Sequence, residues 1–73
     1  MYVFDRDGFA ERLNKTMEER GYNEFRLQRK CCLDLKTVLN MMIGNTIPRL
    51  ENFAAVCREL DVSADYLLFG DEE

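Results

Sequence analysis

The sequence predicts a small all-α domain built from five short helices. Capping residues and glycines divide the chain into five segments. Within these segments the apolar residues recur every three or four positions, the spacing of a helix buried along one side. No stretch alternates apolar and polar residues as a strand would. We expect the 73 residues, 47% of them hydrophobic, to form one domain with an arm (residues 1–6), a helical core (7–70) and an acidic tail (71–73).

The first helix is predicted from Asp7, as its N-cap, to Arg20. Its buried stripe consists of three apolar residues spaced four positions apart: Phe9, Leu13 and Met17. Gly21 follows where a left-handed residue commonly ends a helix.

The second helix is predicted to begin after the N-cap Asn23 and to run to Cys31. After a tight turn, Asp34 is the expected N-cap of the third helix, which Gly44 ends. Apolar spacing indicates the inward-facing residues, which are Leu27 and Cys31 in the second helix and Val38 and Met41 in the third.

The connection through Ile47-Pro48 is predicted to be extended, because a residue before proline avoids the helical region. The fourth helix is expected over 50–60, and the fifth over 64–69 with Ser63 as N-cap and Gly70 as terminator. The inner side of the fourth helix is predicted to carry Phe53, Ala54, Cys57 and Leu60.

Charge is unevenly distributed along the chain. The net charge is −4, yet residues 20–49 hold six lysines and arginines against two acids, a local charge of +4. A basic middle flanked by acidic ends allows a local surface for nucleic acid. Apolar runs are too short for a membrane helix, and the beginning of the chain lacks the features of a signal peptide, so we expect a cytoplasmic protein.

The cysteines favour the same compartment. Cys31 and Cys32 are adjacent and Cys57 is unmatched, which is unlike a secreted disulfide framework and typical of apolar buried thiols. With no histidine, no metal-ligand spacing, no glycine-rich phosphate loop and no opposed acid–base pair, we expect neither an enzyme nor a cofactor or metal site.

Two short helices joined by three or four residues over 23–42 have the spacing of a DNA-binding helix-turn-helix. From Phe9 to Gly70, 62 of the 73 residues, the chain resembles the phage Cro and repressor family. The resemblance is carried, in order, by Phe9-Ala10-Glu11-Arg12-Leu13, Glu19-Arg20-Gly21-Tyr22, Leu27, Leu33, Thr37-Val38, Gly44, Pro48, Leu50-Glu51-Asn52-Phe53 and Leu60-Asp61-Val62-Ser63-Ala64-Asp65-Tyr66-Leu67-Leu68.

The resemblance implies a compact, five-helix, lambda-repressor-like domain that binds double-stranded DNA as a transcriptional regulator of phage, prophage or plasmid type. The third helix would enter the major groove and meet bases through Leu35, Lys36 and Asn40. Lys36 suits guanine and Asn40 adenine, while Leu35 and Leu39 suit thymine methyl groups. The implied phosphate contacts are Thr37, Asn45, Thr46 and Arg49.

The apolar run Tyr66-Leu67-Leu68-Phe69 is too long to be buried entirely in one short helix. Members of the family commonly dimerise, so we expect a homodimer through Tyr66, Leu67 and Phe69. The alternative is that Tyr66 and Phe69 fold back on the first and fourth helices. Residues 1–4 lie either across the core or against a partner, and the sequence leaves both open.

Departures from the family pattern favour a second hypothesis. Glu24 stands where the family usually has glutamine, and Asp34 where serine or threonine is common, and both acids repel phosphate. If the two acids project together into solvent, a protein-interaction module that does not bind DNA, such as an antirepressor or a dimerisation partner, is favoured.

Two further departures concern the core and the turn. Met17 and Met42 replace an arginine and a glutamate that the family often buries as a pair, and the loss of both leaves no buried charge alone. Cys32 replaces the turn glycine, and a positive φ there would cost roughly 1 kcal/mol.

Overall fold

A computed structural model describes residues 2–70 of the chain, which form five α-helices and no strand. The helices are α1 (Arg6–Glu19), α2 (Glu24–Cys31), α3 (Leu35–Met42), α4 (Leu50–Leu60) and α5 (Ala64–Phe69). The all-α prediction is confirmed. The predicted acidic tail at 71–73 and the first residue of the arm lie outside the described residues.

One hydrophobic core joins all five helices. α1 packs against α3 and α5, while α2 packs against α3 and α4. The predicted stripe of α1 is fully inside the core, as are Leu27 of α2 and both predicted residues of α3. The remaining members come from α4 and α5: Phe53, Val56, Leu60 and Leu67.

The start of α1 corrects a prediction. The N-cap is Asp5, whose Oδ1 accepts a hydrogen bond of 3.0 Å from the Gly8 backbone N–H. The predicted cap, Asp7, lies in the first turn instead. Both positions suit an acid, because a negative charge is favourable throughout the first turn of a helix. The helical core therefore begins at Arg6, two residues before its expected first helical position.

The helix ends depend on residues in the left-handed region. Gly21 and Gly44 both have φ of 75° and Gly70 has 80°, as expected for glycines that follow a helix. Cys32 also has a positive φ, 56°. The backbone of the turn after α2 therefore adopts a conformation that favours glycine, although the residue there is cysteine. The Leu33 N–H closes this turn on the Gln28 carbonyl at 3.0 Å.

The inner face of α4 corrects a second prediction. Phe53 and Leu60 are buried as expected, and Cys57 is half-buried. Ala54 is exposed, and Val56 takes its place in the core with no exposed area. Positions 53, 56 and 60 follow the i, i+3, i+7 spacing of one helix face, whereas 54 lies off it.

Arg12 of α1 and Arg20, the C-cap residue that follows α1, bind the ends of other helices. Arg12 donates from Nε to the Leu67 carbonyl and from Nη2 to the Leu68 carbonyl, both at 3.1 Å. Arg20 donates from Nε to the Leu60 carbonyl at 2.8 Å. These carbonyls belong to the last turns of α5 and α4, where a cation is stabilised by the helix dipole.

The arm lies against its own chain over the described residues. The Phe4 ring is 5.7 Å from that of the core residue Phe9, and the Tyr2 ring meets that of Phe69 edge-on at 5.8 Å. Within residues 2–70, no helix combines the length and the apolar character needed to cross a membrane.

Candidate nucleic-acid interface

α3 packs against the core along one face and is exposed to solvent along the other. Val38 and Met41 anchor its inner face in the core, and Leu27 of the adjoining α2 is buried in the same cluster. The turn of residues 32–34 connects the two helices, which pack against each other. The opposite face of α3 is therefore presented to solvent.

The exposed face of α3 is defined by Lys36, Leu39, Asn40 and Ile43. Lys36 is exposed and Asn40 half-buried, while Leu39 is 40% and Ile43 69% exposed. The Ile43 N–H donates to the Leu39 carbonyl at 3.1 Å, so the helical ladder reaches the last of these residues. Leu35, a predicted base contact, is half-buried at the first turn.

Beside the start of α3 lies a cleft of about 420 Å³, here called the polar cleft. Its walls are the turn after α2, the first turn of α3, the connection 46–49 and the first turn of α4. It brings together three predicted phosphate-contacting residues and one that was not predicted: Thr37, Thr46, Arg49 and Asn52. Asn52 was missed because only the packing of α4, and no local pattern, brings it there.

Asn45, the fourth predicted phosphate contact, is exposed but does not line the polar cleft. Its backbone carbonyl accepts a hydrogen bond of 3.4 Å from Arg6 Nη1. This contact ties the end of α3 to α1.

Two helices begin at the polar cleft without a side-chain cap. Neither Asp34, before α3, nor Arg49, before α4, accepts or supplies a capping hydrogen bond from its side chain. The first backbone N–H groups of both helices thus lack the side-chain acceptor that Asn23 and Ser63 provide for α2 and α5. Uncapped N-terminal N–H groups and the helix dipole make this region suitable for anions.

Four basic side chains lie on these helices or in the polar cleft: Arg29 and Lys30 in the last turn of α2, Lys36 in α3, and Arg49 in the cleft lining. All four are exposed, and none has a hydrogen bond or an ion pair with the side chains or backbone of residues 2–70. The other two basic residues of the middle segment, Arg20 and Arg26, have partners within the chain. Arg20 binds backbone carbonyls, and the Arg26 guanidinium lies 4.4 Å from the centre of the Tyr22 ring.

The two acids that weaken the DNA interpretation differ in position. Asp34 is exposed and lines the polar cleft, whereas Glu24 is half-buried. The two acids do not lie together in the polar cleft, so the condition stated for the second hypothesis, which requires both, is not met.

Asn14 of α1 positions α3. Its Nδ2 donates to the Met42 carbonyl at 2.7 Å and to the Ala10 carbonyl at 2.8 Å. Met42 is half-buried and Met17 buried, as apolar replacements for a buried ion pair should be. No sequence pattern indicated this role for Asn14, because a polar residue beside a buried stripe is usually solvent-exposed.

A second side-chain hydrogen bond links the connection between α1 and α2 to α4. The Tyr22 hydroxyl donates to Glu59 Oε2, and this hydrogen bond, together with desolvation, raises the pKa of Tyr22. Nearby, burial raises the pKa of the Cys31 thiol, and burial alone raises that of Cys57. These thiols therefore stay protonated at neutral pH, consistent with apolar packing.

The three residues expected at a dimer interface differ in their solvent exposure. Phe69 is 53% exposed and Tyr66 half-buried, but Leu67 has no exposed area. Leu67 is the fully buried residue of α5, with Tyr66 and Leu68 packed against the core beside it. The homodimer stays a prediction, and Phe69 and Tyr66 are the residues of the three with exposed area.

Next to α5 an apolar groove of about 340 Å³ opens between the arm and the start of α4. It is lined by Phe4, Ile47, Pro48, Leu50, Phe53 and Leu68. Leu50 is 82% exposed at its rim. The sequence did not predict this groove, because its walls come from three separate parts of the chain.

No protein-family model matches this chain, and no curated protein matches it. The resemblance to the phage Cro and repressor family therefore remains a prediction from the quoted motifs.

Proposed function

We propose that this protein binds double-stranded DNA in a sequence-specific way and regulates transcription, with α3 in the major groove. The observation that carries the proposal is the setting of α3. The polar cleft lies beside the start of α3. Four basic side chains without partners among residues 2–70 lie in the last turn of α2, on α3 and in the cleft. A duplex supplies the phosphates that such a surface can neutralise.

Each part of the surface has a distinct role in this proposal. Lys36 and Asn40 contact base edges, guanine and adenine respectively, because they project from the groove-facing side of α3. Thr37, Thr46, Asn52 and Arg49 contact phosphates from the polar cleft, which fixes the register of α3 without specifying sequence.

We further propose that the protein acts as a homodimer, which would place two copies of α3 on successive turns of the duplex. The exposed ring of Phe69 and the half-buried Tyr66 support an interface at the end of α5. Phe69→Glu places a charge in that interface. It should convert a dimer into a monomer in analytical ultracentrifugation at tens of micromolar, whereas a wild-type monomer would contradict this part.

A second candidate is a protein-interaction module of the same fold that does not bind DNA. Asp34 favours it, because its exposed carboxylate lies in the polar cleft where a phosphate would be bound. In that case the acidic remainder of the chain would face a basic protein partner.

Selection from a random duplex pool, followed by sequencing, tests the first candidate against the second. We expect an enriched, roughly palindromic motif. Asn40→Ala should relax the preference at one base position, with a loss of about 1–3 kcal/mol in discrimination. Lys15→Ala, an exposed lysine of α1, is the matched control and should leave the motif unchanged. A pool without enrichment would favour the second candidate.

A further inference from the structure

The exposed face of α3 is apolar at two of its four positions. Leu39 and Ile43 lie one helical turn apart, joined by the hydrogen bond between the Ile43 N–H and the Leu39 carbonyl. They are 40% and 69% exposed, respectively. Elsewhere on α3 the apolar side chains are buried or half-buried, so this pair is not explained by packing of the core.

Aliphatic side chains can distinguish one base from the others in the major groove. Thymine carries a C5-methyl group there, while adenine, guanine and cytosine present only hydrogen-bonding groups. Leu39 and Ile43 have no hydrogen-bonding group, so they leave the polar edges of the other three bases unsatisfied and favour the methyl group.

The charges around this pair favour a duplex over a protein surface as the partner. Lys36 precedes Leu39 by one turn on the same face. Arg49 lines the polar cleft beside the start of α3, and Arg29 and Lys30 lie in the last turn of the preceding helix. None of these cations is neutralised by residues 2–70. An apolar strip flanked by unpaired cations is complementary to a groove lined by methyl groups between two phosphate backbones.

We infer that α3 recognises thymine through its C5-methyl group, and that the preferred site presents two thymines opposite Leu39 and Ile43. This inference rests on the DNA-binding function proposed above and names the base chemistry that the site selects. The sequence analysis expected Leu35 and Leu39 to contact thymine methyl groups. Because Leu35 is half-buried and Ile43 is more exposed, we assign the contact expected of Leu35 to Ile43.

The test uses the full chain and two random duplex pools, one containing thymidine and the other deoxyuridine in its place. Deoxyuridine pairs identically and lacks only the C5-methyl group. The thymidine pool should yield a motif with adjacent thymines. Duplexes of that motif made with deoxyuridine should bind on the order of tenfold more weakly, as expected for two methyl groups no longer buried.

Three variants locate the effect. Leu39→Ala and Ile43→Ala should each remove part of the preference for thymidine over deoxyuridine, whereas Lys36→Ala should weaken binding of both forms equally. Val3→Ala is the matched control, since Val3 is an exposed aliphatic residue of the arm, and it should preserve the preference. Because the wild-type comparison needs no substitution, a variant that fails to fold does not decide the outcome.

Equal binding of the two forms by the wild-type chain would overturn the inference and leave the proposed DNA-binding function intact. Retention of neither pool at 50 mM salt would overturn both, and would point to a protein as the partner of this face.

Discussion

At the scale of single residues, the turn after α2 was predicted correctly, but its backbone is strained at Cys32, where the family pattern has glycine. Its φ of 56° lies in the left-handed region, which costs a residue with a Cβ about 1 kcal/mol or more relative to glycine. Cys32→Gly should therefore raise the free energy of unfolding by about 1 kcal/mol in urea denaturation.

Cys31→Gly is the control for that substitution, because Cys31 lies in the last turn of α2 and packs against the core. It should lower the free energy of unfolding. A loss of stability in Cys32→Gly would show that its side chain contributes more than its backbone conformation costs.

Asn14 contributes a hydrogen bond that no sequence pattern indicated. Asn14→Ala removes the donor to the Met42 carbonyl at the end of α3. We expect a loss of about 1–2 kcal/mol in the free energy of unfolding, since a half-buried carbonyl would lose its partner. Thermal unfolding followed by circular dichroism measures it. Lys15→Ala on the exposed side of the same helix should change stability little, and equal effects of the two substitutions would contradict the role of Asn14.

At the scale of helices, capping residues predicted most boundaries. The bounds of α4 and α5 were predicted at 50–60 and 64–69 and are found there, because proline, serine and glycine punctuate this part of the chain. The prediction for the start of α1 was wrong because Asp5 and Asp7 both suit a helix N-terminus. The prediction for the inner face of α4 was partly wrong because the apolar residues of this helix are too closely spaced for periodicity to choose between Ala54 and Val56.

The end of α5 depends on α1. Arg12 donates two hydrogen bonds to the last carbonyls of this six-residue helix, which is too short to be stable alone. Arg12→Ala should lower the free energy of unfolding by about 1–3 kcal/mol, the range for a charged donor lost from partly buried carbonyls. Chemical denaturation measures this change.

Arg58→Ala is the matched control for α5. Arg58 is exposed on α4, and its side chain has no hydrogen bond or ion pair with residues 2–70, so its loss should cost a few tenths of a kcal/mol at most. A cost for Arg12→Ala no larger than that of this control would mean that α5 is held by Leu67 packing alone.

At the scale of the whole molecule, the sequence indicated the basic middle segment but not the surface it forms. Thr37 and Thr46 were expected to contact phosphate, yet only the fold shows that they share the polar cleft with Asn52 and Asp34. That cleft depends on α4 packing near the turn between α2 and α3, which no local pattern encodes. The apolar groove beside the arm was missed for the same reason.

Binding of a polyanionic duplex by the surface around α3 should depend steeply on salt concentration. Fluorescence anisotropy with a random-sequence duplex between 50 and 200 mM salt gives the slope of log K against log salt. If Arg29, Lys30 and Arg49 each neutralise one phosphate, the slope should be roughly −3 per chain.

The paired substitution Lys30→Ala with Arg49→Ala should make this slope shallower by about two. Lys15→Ala with Arg58→Ala removes the same charge from exposed positions of α1 and α4 and should leave the slope unchanged. Absence of binding at 50 mM salt, or equal slopes for the two paired variants, would contradict DNA binding by this surface.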